Sequence, residues 1–273
     1  MNPLVRLLRP LNCVLAAVSV PIVMLILFGL TEPSTDLIIH TLLGMAVVSF
    51  FTGGGNTLND YVDRDVDKIN HPERPIPSGE ISPKNALYLS VSLFAVSLLS
   101  SLFLPWFLPQ VIVLISIILM ISYEFGVKHK GLAGNAVISW LTGSLFVFAG
   151  AIYGDIFLPL ILGILAGLST MGREIIKDIQ DMKGDLDRET FPMKVGLKNA
   201  KISILIFILI AVSLSPLPYL LGSFSVAYLT VVILADIIFI YSLTFIDEPK
   251  KSQSYIKFAM MVALIAFIFG GIL

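Results

Sequence analysis

Asn59, Asp63 and Asp67 stand at i, i+4 and i+8, and Asp178, Asp181 and Asp185 at i, i+3 and i+7. On a continuous helix either set lies along one face. Like charges stacked that way repel, at a cost of about 0.2–0.5 kcal/mol per pair on an isolated helix. A cation between them reverses the sign. An all-oxygen donor set suits a hard divalent ion over softer metals. Mg²⁺ takes one or two carboxylates and fills the rest of its shell with water and substrate phosphate. Two such sets across a phosphate-sized gap would grip a diphosphate. The candidate metal ligands are therefore Asn59, Asp63, Asp67, Asp178, Asp181 and Asp185, with Asp63, Asp67, Asp181 and Asp185 as the catalytic acids.

Bases near both sets can complete the clamp: Arg64, Lys68, Arg74, Lys128, Lys130, Arg173 and Lys177. Arg9 and Asn12, at i and i+3 in the opening of the first apolar run, are candidates for a second phosphate at the cavity mouth. Tyr123 ends the fourth run and joins the candidate substrate contacts. Each has a plainer reading. Acids beside bases in a loop are commonly solvated charge, and lysines after an apolar run are commonly snorkelling anchors. Asn135 is explained as well by helix capping. Asp178 has Lys177 and Arg173 as alternative partners, and Asp65 falls off the ligand face toward Arg64.

A diphosphate site needs a scaffold, and composition says which kind. Of 273 residues, 56% are hydrophobic and 14% charged, and mean hydropathy is +0.92. Soluble domains carry about 25% charged residues, so this is an integral membrane chain, and the length of its apolar runs makes it all-α. A formal net charge of −1 gives no reason to expect nucleic acid. One cysteine, Cys13, excludes an internal disulfide and a cysteine-rich metal site, and the three histidines lack metal-ligand spacing. The N-terminal run has no small-residue cleavage site and reads as a retained helix.

Crossing about 30 Å of hydrocarbon takes roughly 20 residues. Nine apolar runs qualify: 11–30, 37–58, 85–104, 108–124, 136–153, 157–177, 199–221, 224–244 and 255–273. Pro216 and Pro218 should kink or shorten the seventh. Short loops (31–36, 105–109, 154–156, 222–225) alternate with longer polar ones (59–84, 125–135, 178–198, 246–254). All 18 Lys and Arg lie at the N-terminus or in the longer loops and their flanks. The positive-inside rule then puts the N-terminus and the acid-bearing loops in the cytoplasm and, after nine crossings, the C-terminus outside. The two acid sets end the second and sixth runs with the same polarity. The expected organisation is one domain over 1–273, with a weak four-helix repeat at 11–135 and 136–244 and a ninth helix appended.

Two longer motifs sharpen this. NDYVDRDVDKINHPERPIPSG resembles the first motif of the UbiA superfamily of intramembrane prenyltransferases, NDxxDxxxD followed by an RPxxSG loop. KDIQDMKGD with the trailing RETFPMKVG resembles the second. The resemblance implies nine transmembrane helices around a central cavity, capped by cytoplasmic loops, and Mg²⁺ as cofactor. Asn59, Asp63, Asp181 and Asp185 would be the principal Mg²⁺–diphosphate residues, supported by Asp67 and Asp178. The form of the second motif is most similar to archaeal members. These transfer a geranylgeranyl group from its diphosphate to the hydroxyl of geranylgeranylglyceryl phosphate, forming the second ether bond of archaeal lipids. The implied partners are a prenyl diphosphate donor, a lipid-phosphate acceptor and membrane lipids, with no nucleic acid and no obligate protein partner, in the cell membrane.

The alternatives within the family are chlorophyll-synthase-like and quinone-type aromatic prenyltransferases; the first motif also resembles the former. The alternative outside it is a polytopic cation transporter. A transporter should carry ionisable groups along a path near the bilayer midplane, and Asp236 alone qualifies.

Overall fold

The computed structural model describes residues 2–182 and 190–272. Among the described residues the chain is helical and contains no strand. Eight helices among the described residues are long and apolar enough to cross a membrane. The third expected run is also helical, as α6 (Pro83–Ser101), but is not one of the eight. Lys84 and Asn85 at its N-terminal end and its serines lower its hydropathy, and two of the serines bond to a neighbouring helix: Ser90 donates to the Gly54 carbonyl at 2.8 Å and Ser97 to that of Val47 at 2.9 Å. Small hydroxylated residues let membrane helices approach closely, and they lower hydropathy in doing so.

The first expected run, 11–30, is broken into α2 (Pro10–Ala17) and α3 (Ser19–Phe28), and a short α1 (Pro3–Leu8) precedes it. The break at Arg9 has φ +50, the one non-glycine positive φ among the described residues. Pro10 cannot donate into a preceding turn and disfavours helical geometry at Arg9. The proline expectation at the seventh run holds: α10 (Phe191–Leu214) ends before Pro216, and a short α11 (Leu217–Leu220) follows.

The chain forms two compact units. The first runs to Pro21, then takes in Glu32–Phe125 and Ala151–Gly154. Its axis is α4 (Thr35–Val62), which packs on α1, α2, α6 and α7 (Phe107–Glu124). Gly53, Gly54 and Gly55 permit this. A Cβ there would stand 3.3 Å from Leu8 Cδ2, 3.0 Å from Phe94 and 2.8 Å from Met120 Cε. The helix continues through them to Val62, so these glycines serve close packing rather than an unwound helix end.

The second unit comprises Ile22–Thr31, Gly126–Gly150 and the chain from Asp155 onward. Here α8 (Leu132–Tyr153) and α9 (Phe157–Asp181) cross at Gly143 and Gly163, where a Cβ on Gly143 would lie 2.5 Å from the Gly163 carbonyl oxygen. The helix α9 also packs on α10 and on α13 (Pro249–Ile272), and α12 (Val226–Leu243) packs on α13. Ile175, Ile176, Ile204, Ile208 and Ile256, each 0–1% exposed, form the centre of this core.

Candidate active site

The first acid set does not lie on one uninterrupted helix. The helix α4 ends at Val62, Asp63 takes φ −85 and ψ 6, and α5 (Arg64–Asn70) restarts beyond it. The backbone bonds at the junction still run i to i−4, from Asp63 to Asn59 at 2.9 Å and from Asp67 to Asp63 at 2.8 Å. The expected facing of the three residues therefore survives only in part. Asn59 Nδ2 donates to Asp63 Oδ2 at 2.9 Å. Asp67 is turned into an ion pair with Arg74 at 2.6 Å.

Arg74 belongs to the RPIPSG loop, and the loop is a folded cap. Ile76 and Ile81 are buried with Leu7 and Ala86 in a small apolar cluster. Ile81 N–H bonds the Pro75 carbonyl at 3.0 Å, and Gly79, at φ +79, makes a turn that favours glycine. Charges tie the cap to the N-terminal helices. Arg6 bonds Glu80 at 2.8 Å and the Glu73 carbonyl. Arg9 pairs with the buried Asp60, which Arg74 also reaches at 3.5 Å. Asp60 is thus the shared anchor of Arg9 and Arg74. Sequence reasoning passed over it, although the excess of acids over bases in this stretch was the available signal.

The remaining candidates near the first set lie half-buried or exposed. Arg64 lies over the Tyr61 ring at 4.8 Å and donates to the Tyr61 carbonyl at 2.8 Å. Lys68 pairs with Asp65 at 2.8 Å and holds that exposed carboxyl below its ordinary range. The expected Arg64–Asp65 contact is the longer one, at 3.8 Å. Asn12 is exposed on α2, and Tyr123 is half-buried at the end of α7. Beside it Glu124 is 3% exposed, with Oε1 and Oε2 at 3.2 and 3.3 Å from Asn59 Nδ2. Glu124 was also missed. A lone acid closing an apolar span of 18 residues was the clue.

In the second unit, α9 carries its acids at the C-terminal end. Asp178 is 4% exposed and accepts from Asn135 Nδ2 at 2.8 Å. Asn135 lies inside α8 and is 2% exposed, so it supports an acid rather than capping a helix. Arg173 and Lys177 both lean on Glu174, at 2.6 and 3.7 Å. Glu174 thus takes the bases that were expected as alternative partners of Asp178. Lys128 is 7% exposed in a short 3₁₀ turn after α7, whereas Lys130 is exposed. Asp181 is half-buried at the last residue of α9, and Asp185 lies outside the described residues.

Asp236 faces a cavity of about 260 Å³ in the second unit, bounded by Phe146, Ser169, Ser215, Phe239 and Phe267 among others. Ser215 donates to its carboxyl at 2.5 Å, and the Tyr228 hydroxyl donates to the Ser215 carbonyl. The acid therefore has a partner remote in sequence.

Among the described residues no three His, Cys, Asp or Glu stand close enough to hold a metal alone. The donor types still fit Mg²⁺, which binds through few carboxylates and shares its shell with phosphate.

The sequence profile of the UbiA prenyltransferase family matches residues 17–268. This chain belongs to the UbiA prenyltransferase family. It is a multi-pass membrane prenyltransferase. Digeranylgeranylglyceryl phosphate synthase of Methanosphaera stadtmanae is 40% identical to it over the whole of both chains. The enzyme of the same name from Natronomonas pharaonis is 39% identical over 98% of this chain and 96% of its own. A solved digeranylgeranylglyceryl phosphate synthase superposes with a TM-score of 0.88, at 34% identity, over 99% of this chain and 98% of that one. The fold is shared more widely. A UbiA homolog from Archaeoglobus fulgidus, solved with GPP and Mg²⁺, gives a TM-score of 0.69 at 19% identity, over 96% of this chain and 99% of that one.

Proposed function

We propose that this prenyltransferase moves a geranylgeranyl group from geranylgeranyl diphosphate to the free hydroxyl of geranylgeranylglyceryl phosphate. The product carries the second ether bond of archaeal membrane lipids. The observation that carries this reading is the end-to-end likeness, at 40% identity, to the Methanosphaera enzyme.

The chemistry follows from the residues. The allylic C–O bond of the donor breaks and its electron pair leaves with diphosphate. The acceptor oxygen forms the new C–O bond, and its proton passes to an oxygen of the departing diphosphate. Asn59, Asp63, Asp181 and Asp185 would hold Mg²⁺ and diphosphate, with Asp67 and Asp178 in support. Bound Mg²⁺ supplies charge stabilisation of the leaving group. Arg74 and Lys128 would bind diphosphate oxygens, with Arg173, Lys177, Arg64 and Lys68 adding positive field and Tyr123 a hydroxyl. Arg9, and Asn12 beside it, would receive the phosphate of the acceptor. Paired guanidinium donors suit phosphate better than a neutral ring. The apolar helices keep water from the carbocation. The distribution of Lys and Arg supports a cytoplasmic N-terminus and cytoplasmic motif loops in the cell membrane, with the C-terminus outside.

An acceptor screen tests the reading. Purified protein in detergent receives labelled geranylgeranyl diphosphate and Mg²⁺, with geranylgeranylglyceryl phosphate, a quinone precursor or chlorophyllide as acceptor. Label is expected in the phosphorylated ether. Label in either ring acceptor alone overturns the assignment, and ion flux in liposomes with no transfer at all overturns the enzyme reading.

A further inference from the structure

Asn59 is an amide, and an amide meets a cation through its oxygen alone. Which end of the amide points where is therefore decisive. In α4 the Nδ2 atom donates to Asp63 Oδ2 at 2.9 Å and lies 3.2 and 3.3 Å from the two oxygens of Glu124. An ionised carboxylate only accepts. Both amide hydrogens are thus committed to carboxylates, one on each side, and a flipped amide would set its oxygen against both. Asp63 alone could not hold this orientation. It supplies one acceptor, and that carboxylate is itself a candidate metal ligand whose oxygens a cation would share.

Glu124 is placed for the complementary task. It ends α7, a helix packed on α4. It is 3% exposed, and burying a carboxylate is costly unless donors surround it. It belongs to neither acid motif. We propose that Glu124 is a positioning residue of the metal site: it fixes the Asn59 amide so that Oδ1 is presented to the divalent cation. The inference rests on the reading of Asn59 as a metal ligand.

Full-length protein in detergent, titrated with Mn²⁺ in the presence of inorganic diphosphate and followed by the electron paramagnetic resonance of free Mn²⁺, tests it without prenyl donor or acceptor. Glu124→Leu, which cannot accept, should weaken Mn²⁺ binding roughly 10- to 100-fold, as loss of an outer ligand partner does elsewhere. Glu124→Gln can still accept from Asn59 through its own amide oxygen and should bind close to wild type. Asn59→Ala and the Asn59→Ala/Glu124→Leu double variant should bind equally weakly, because Glu124 acts through Asn59. Unchanged affinity in Glu124→Leu overturns the proposal. So does a double variant that loses the sum of both single losses, or a Glu124→Gln that falls as far as Glu124→Leu. Normal Mn²⁺ binding by Asn59→Ala overturns the underlying ligand reading, whatever the acceptor screen shows. If leucine at 124 disturbs the bundle, Glu124→Ala gives the same comparison.

Discussion

Arg74 and Asp67 form an ion pair at 2.6 Å in which the carboxylate is only 6% exposed. The guanidinium comes from the cap loop and the carboxylate from the helix after the first acid motif. The same Arg74 reaches Asp60, which also holds Arg9. The cap, the N-terminal helices and the acid motif are therefore one electrostatic unit.

Replacing Arg74 by alanine strands the buried Asp67 carboxylate and leaves Asp60 to Arg9 alone. Breaking a buried pair costs about 3–5 kcal/mol. Arg74 is 27% exposed, which sets the expectation near the lower figure. Thermal unfolding in detergent should show Tm falling by roughly 6–12 °C, at about 2–4 °C per kcal/mol. Arg64→Ala, which removes a half-exposed guanidinium from a tyrosine face, should shift Tm far less.

Arg9 holds a left-handed backbone at φ +50. Such a conformation costs a non-glycine residue about 1–2 kcal/mol. Arg9→Gly removes that cost as it removes the bond to Asp60, which Arg74 still reaches, so Tm should fall less than in Arg74→Ala. If Arg9 receives the acceptor phosphate, KM for the phosphorylated acceptor should rise about tenfold, the equivalent of about 1.4 kcal/mol. KM for the prenyl diphosphate should stay put. Steady-state kinetics with each substrate varied in turn separates the two.

Asn135 donates to Asp178 from the facing helix of the α8–α9 hairpin. Asn135→Leu leaves that buried carboxylate short of a donor and should lower transfer roughly 10- to 100-fold, the usual range for an outer partner of a metal ligand. Gly143→Ala should produce a milder version of the same loss. Its Cβ would press on the Gly163 carbonyl at 2.5 Å and push the hairpin apart, at about 1–3 kcal/mol for overpacking. Comparing rate with Tm for both variants shows whether activity falls ahead of stability.

Chelation with EDTA should abolish transfer, and Mg²⁺ should restore it. Mg²⁺ with inorganic diphosphate should also raise Tm, because a ligand at a hundred times its Kd adds about 2.7 kcal/mol to the folded state. Asp63→Ala should erase that rise. A thermal-shift series with each component added separately checks it.

Much of this was legible in the residues. The apolar runs located the helices because bilayer thickness fixes their length, and basic residues marked the loops. The first acid motif was readable as a helix end because its spacing is helical. Three things were not readable. The bend at Asp63 comes from local backbone geometry that the i, i+4 pattern does not encode. The turn of Asp67 toward Arg74 depends on how the cap loop folds. Asn135, Glu124 and Ser215 take partners 43, 65 and 21 residues away, and such pairings follow from packing rather than from local pattern.

The central claim is that the two acid motifs serve one diphosphate. Initial transfer rates of Asp63→Ala, Asp181→Ala and the double variant, at saturating Mg²⁺ and with folding confirmed by Tm, test it most directly. Groups that act as a unit lose their contribution together. Each single variant should therefore fall by on the order of 10²–10³, the range seen when one stabiliser of transition-state charge is removed, and the double variant should be hardly worse than either. Retention of transfer by Asp63→Ala or Asp181→Ala, or losses that multiply in the double variant, would contradict the claim.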